Sequence, residues 1–141
     1  MRIVFYLWNM GILMMDKLST KHFIKLEGAP STDIQLLIDQ GMRFREVLDR
    51  PIKKVPSLNG KSIVNLFFEN STRTRISFEL AEKRLSAEIT NFSASSSSLN
   101  KGESFKDTIQ NLCAMKMDCI VMRHPTPGAC NHLINYVDSV I

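Results

Sequence analysis

Three short apolar runs, residues 62–68, 87–92 and 119–122, are separated by longer stretches of helical periodicity. That alternation narrows the fold more than any other feature of the chain. Antiparallel neighbours can be joined by a tight turn, whereas parallel strands need a crossover of about a dozen residues or more, usually a helix. The pattern therefore predicts an α/β fold in which a parallel sheet is covered by helices, with right-handed crossovers. A further run at 137–141 brings the expected count to about four strands. Cys119-Ile120-Val121-Met122 is continuously apolar, as befits a strand covered on both faces.

The intervening segments read as follows. Behind Ser31, a candidate N-cap, Ile34, Leu37, Ile38, Phe44 and Leu48 recur at helical spacing and predict an amphipathic helix over 32–49 that Pro51 ends. Asn59-Gly60 is a turn ahead of the first strand. The next helix, from about Thr72 to Leu85, should turn Ile76, Leu80, Ala81 and Leu85 inward, with Glu79 and Lys83 paired on its outer side. A third, from Glu103 to about Met115, carries Phe105, Thr108, Ile109 and Leu112 on one side, and 127–136 forms a weaker helix.

In parallel sheets the ligand crevice lies at the carboxyl ends of the strands. The topology thus gathers three segments on one rim. Ser71-Thr72-Arg73-Thr74-Arg75 follows the first strand, the serine-rich loop 93–102 with Lys101 follows the second, and Arg123-His124 follows the third. A strand that hands over to a helix at two threonines and two arginines aims N–H donors and positive charge at one point, which is a phosphate cradle. Arg73, Arg75, Lys101 and Arg123 packed on one edge would call for an anion, because like charges repel without a counter-charge. Each residue also has an ordinary reading: Ser or Thr before a helix is commonly only a cap, a serine run only a linker, and His124 a satisfied imidazole. Arg75 reads as mainly structural, turned toward a carboxylate such as Glu79.

At 141 residues the chain is long enough for one core and short for two domains. A net charge of +4, spread rather than clustered, suits a small anion as well as it suits nucleic acid. No aromatic alternates with the basic residues on that rim, and Phe67 and Phe68 read as core, so stacking platforms for nucleic acid are lacking there. Cys113, Cys119 and Cys130 have neither CxxC spacing nor a histidine at metal-ligand spacing, and read as reduced, buried thiols of a cytoplasmic protein without a metal. The apolar leader 1–14 is broken by Trp8-Asn9-Met10-Gly11, falls short of the roughly 20 residues a membrane span needs, and has no small-residue cleavage site. It reads as an alternative start upstream of Met14 or Met15, and no membrane partner is expected.

Phe67-Phe68-Glu69-Asn70-Ser71-Thr72-Arg73-Thr74-Arg75-Ile76-Ser77-Phe78-Glu79 resembles the carbamoyl-phosphate motif of the aspartate/ornithine carbamoyltransferase family, and the resemblance runs from about Lys21 to the end of the chain. Ser98-Leu99-Asn100-Lys101-Gly102-Glu103 and Val121-Met122-Arg123-His124-Pro125 resemble its aspartate branch; ornithine or acetylornithine carbamoyltransferase is the near alternative, and a non-catalytic phosphate-binding module the distant one. The resemblance implies transfer of a carbamoyl group from carbamoyl phosphate to the amine of L-aspartate, in pyrimidine biosynthesis, with no cofactor. It implies that Ser71, Thr72, Arg73 and Thr74 hold the phosphate and that Thr74 and Arg123 polarise the carbonyl oxygen, which makes Arg73, Thr74 and Arg123 the catalytic set. Lys101, with Ser98 beside it, matches a loop that in the family enters the neighbouring subunit's site, so the resemblance implies a homotrimer. A regulatory chain is left open. Residues 15–141 match the carbamoyl-phosphate-binding domain, expected here truncated at its C-terminal end. The aspartate-binding domain and the His-Pro-x-Gln segment of the family are not matched, and His124-Pro125-Thr126-Pro127 does not stand in for the latter. Little activity is expected of this chain alone.

Overall fold

The computed structural model describes residues 18–93 and 104–137. The elements run α1 (Ser31–Leu48), β1 (Ser62–Phe67), α2 (Thr72–Arg84), β2 (Glu88–Ser93), α3 (Phe105–Ala114), β3 (Cys119–Arg123) and α4 (Ala129–Leu133). The three strands form one parallel sheet in the order β2-β1-β3. Ser62 pairs with Glu88, Ile63 with Cys119, and Phe67 lies level with both Ser93 and Arg123. All three strands therefore end on one edge. The chain leaves the central strand to one side for β2 and to the other for β3, so the switch point falls between β1 and β3. Most of the fourth expected strand, residues 138–141, lies outside the described residues.

Strand alternation divides the core into two layers. Val64 and Leu66 pack with Ile109, Leu112, Ile120, Leu133 and Val137. Ile63 and Phe67 point the other way, into a cluster with Leu58, Leu85, Cys119 and Val121, against which Phe44 of α1 and Phe78 of α2 pack. Helices thus cover both faces, as the continuous apolar strands require. Leu66 is fully buried in the central strand. We expect Leu66→Ala to cost about 3 kcal/mol, a large part of the roughly 5–15 kcal/mol that holds a domain together, whereas Ile76→Ala, at a 53% exposed position, should cost less than about 1 kcal/mol. Urea unfolding of the two variants measures the difference.

Some expectations about helix faces need correction. Ile76 and Leu80 are not inward, and Ile38 and Leu48 are also exposed. The inward face of α2 is instead set by Phe78, Glu82 and Leu85, because buried Glu82 reaches Asn65 of β1 and turns the Ile76–Leu80 stripe to solvent. Ser31 is the first helical residue of α1, with Pro30 in the cap position and no side-chain cap bond. Asp33 instead ties the preceding segment to the helix start, its carboxylate accepting from Ser19 N and from Ser19 Oγ at 2.7 Å. The weak helix of 127–136 contracts to α4, since Gly128 in the left-handed region sets its beginning. No described helix is long and apolar enough to cross a membrane.

Candidate functional site

β1 and β3 stay joined past their last paired residues: Phe68 N–H donates to the Arg123 carbonyl at 2.9 Å. This bond brings the Glu69–Thr74 turn beside Arg123. Ser71 occupies the cap position of α2 at φ −147° but makes no bond to the helix amides. Its hydroxyl donates to Thr74 Oγ1 at 2.9 Å instead. The first helical bond runs from Arg75 N to Ser71 O, so the N–H groups of Thr72, Arg73 and Thr74 precede any intrahelical acceptor. The first turn of α2 also holds no acidic residue, unlike α1 with Asp33 and α3 with Asp107. By contrast, the start of α3 is closed, because Ser104 Oγ accepts from Asp107 N. α2 thus presents an open, positive helix end at the switch point.

Arg123, the last residue of β3, pairs through Nε with the Glu69 carboxylate, and its Nη1 lies 3.5 Å from Thr74 Oγ1. One guanidinium edge is therefore anchored, and the other is aimed over the α2 terminus. Arg73 is exposed, in no ion pair among the described residues, and its carbonyl accepts from Ser77 Oγ. A cavity of about 550 Å³ opens beside Thr74 and Arg123, walled by Phe67, Phe78 and Ile120. Apolar walls lower the local dielectric, which strengthens any charge contact made at its mouth. The arrangement can take a tetrahedral oxyanion on amides, hydroxyls and guanidinium groups together.

Residues 21–141 match the family described as aspartate/ornithine carbamoyltransferase, carbamoyl-P binding domain. The chain belongs to that family. It is 55% identical over 128 residues to the aspartate carbamoyltransferase catalytic subunit of Christiangramia forsetii, covering 91% of this chain and 41% of the relative. To that of Cytophaga hutchinsonii it is 52% identical over 127 residues, covering 90% and 41%. Among solved structures it is similar to aspartate transcarbamoylase from Trypanosoma cruzi in complex with aspartate and phosphate, with a TM-score of 0.79 and 34% identity over 88% of this chain and 40% of that one. The same enzyme in complex with N-(phosphonacetyl)-L-aspartic acid gives 0.79 and 32%, covering 91% and 42%. The chain thus spans about two fifths of the length of the relatives it matches.

Of the residues that the carbamoyltransferase resemblance singles out, Ser71, Thr72, Arg73, Thr74 and Arg123 come together on one edge of the sheet. Ser98 and Lys101 lie outside the described residues. Arg75 is exposed and acts on Glu79 through its charge, but the ion pair of Glu79 is with Lys83, as the i,i+4 spacing predicts. His124 is packed rather than presented: its ring lies 4.7 Å from Phe68 and its Nδ1 accepts from Thr126 N. Sequence reasoning missed Glu69 as a partner. The available signal was an acid between a strand end and a basic helix start, the one negative group in that turn.

Proposed function

We propose that this chain is the carbamoyl-phosphate-binding part of an aspartate carbamoyltransferase, which transfers a carbamoyl group to the amine of L-aspartate and releases phosphate. The reading rests on the open α2 terminus facing Arg123 and Thr74, together with relatives named aspartate carbamoyltransferase. The phosphate of the substrate sits on the amides and hydroxyls of Ser71, Thr72 and Thr74 and on the Arg73 guanidinium. Its carbonyl oxygen faces Thr74 and the free edge of Arg123. As the aspartate amine adds to the carbonyl carbon, charge collects on that oxygen, and donors already in place stabilise it without reorganising. Arg73 then balances the departing phosphate dianion. Lys101 and Ser98 complete the site of an adjacent subunit in a cytoplasmic homotrimer. The aspartate carboxylates are held by protein beyond the segment matched here.

Calorimetric titration tests the binding half. Carbamoyl phosphate should bind this chain at one site, inorganic phosphate should compete, and affinity should fall as salt rises. Absence of competition would refute the assignment. Fusion to the remaining segment of the Christiangramia forsetii relative should restore transfer to aspartate, with the fused chain sedimenting as a trimer; a folded fusion without transfer would refute the assignment.

A further inference from the structure

α2 is seated on the sheet by a polar contact in the middle of the apolar layer. Glu82 of α2 and Asn65 of β1 are both 0% exposed. Asn65 Nδ2 donates to Glu82 Oε2 at 2.8 Å and to Asn91 Oδ1 of β2 at 3.2 Å, which uses both of its hydrogens. Two buried oxygens are left without a hydrogen-bond partner, Asn65 Oδ1 and Glu82 Oε1. Both are acceptors if the acid is ionised, and they belong to the two groups that already share a bond. A proton on the carboxyl would make one of these acceptors a donor for the other.

We propose that Glu82 is a neutral carboxylic acid in the folded protein and closes a cyclic acid–amide pair, Glu82 Oε1–H donating to Asn65 Oδ1 while Asn65 Nδ2–H donates to Glu82 Oε2. The surroundings favour this state. Burial pushes the Glu82 carboxyl above the usual glutamate range, against the opposing effect of the Asn65 bond, and the charge of Glu79 pushes it the same way as burial. Glu79 stays ionised because Lys83 bonds it at 2.6 Å, with Asn91 and Arg75 contributing. On this face β1 carries Ile63, Asn65 and Phe67, β2 carries Ile89 and Asn91, and β3 carries Cys119, Val121 and Arg123, whose guanidinium is paired with Glu69 rather than with Glu82. Arg45 of α1 and Arg84 of α2 line the neighbouring cavity, and neither forms an ion pair with Glu82. The pair fixes the rotation of α2 about its axis and so positions the open helix end that follows β1.

Stability from this pair is complete at acid pH and is lost as pH rises through the raised pKa of Glu82, because the unfolded chain releases the proton first. Glu82→Gln replaces the acid with an amide that donates and accepts in the same places and has no proton to lose. Thermal unfolding of the full chain should therefore show matching melting temperatures for the variant and wild type below the usual glutamate pKa, ~4.3. Above neutrality the variant should melt higher, by roughly 10 °C. In the wild type labelled with carbon-13 at glutamate side chains, one carboxyl signal should stay at its protonated position at neutral pH, and Glu82→Gln should remove it. A full set of glutamates ionised at neutral pH would overturn the proposal, as would a variant that fails to fold or melts below wild type at high pH.

Discussion

Arg73→Ala weakens carbamoyl phosphate binding by about 10- to 100-fold and leaves the melting temperature of the chain unchanged. The first part follows from the strength of a hydrogen bond between charged groups, roughly 1.5–3 kcal/mol, and from about 1.4 kcal/mol per factor of ten in affinity. The second follows from position: Arg73 is exposed and in no ion pair among the described residues, so the native fold gives up no side-chain charge contact. Binding loss without stability loss separates a ligand contact from a structural residue. Arg75→Ala is the internal control, since Arg75 is exposed and its charge acts on Glu79, one turn further along the helix. Titration of both variants should show Arg75→Ala within about threefold of wild type, an amount typical of screened surface charges. Equal losses in the two would mean that general positive potential, not a seated phosphate, governs binding.

The order of elements was legible because each strand is a compact apolar run and each crossover is long enough to be helical. β1, β2 and β3 begin and end within a residue of their expected limits, and the rim bearing Ser71–Thr74 and Arg123 follows from parallel topology alone. The helix faces were less legible. Periodicity assigns the inward side by counting apolar residues, and α2 defeats that count by burying Glu82 while exposing Ile76 and Leu80. Only the opposite polar residue, Asn65 in the middle of a strand, hinted at a partner across the layer. Pro30 took the cap position expected for Ser31 because its carbonyl accepts from Asp33 N and Ile34 N, the first bonds of α1. The pairing of Glu69 with Arg123 spans fifty-four positions, and no local pattern reports contacts of that kind.

Arg123→Ala should reduce carbamoyl phosphate affinity more than Arg73→Ala does, by roughly 100- to 1,000-fold, because it changes two charges at the site rather than one. The guanidinium disappears, and the Glu69 carboxylate that it neutralised is left facing the anion. Glu69→Gln alone should act in the opposite direction. It removes a competitor for Arg123 and raises affinity several-fold, since about 1 kcal/mol is the scale of one unit charge at 4 Å in water. Placed together, the substitutions should recover about tenfold of what Arg123→Ala loses, and the excess of that recovery over the several-fold gain of Glu69→Gln alone is the coupling that a double-mutant cycle reads. The side chains of Glu69 and Arg123 are 33% and 45% exposed, so salt will shrink the coupling without erasing it. If the double variant binds no better than Arg123→Ala, the carboxylate exerts no field at the anion site, and Arg123 is oriented by Thr74 and the β3 backbone alone.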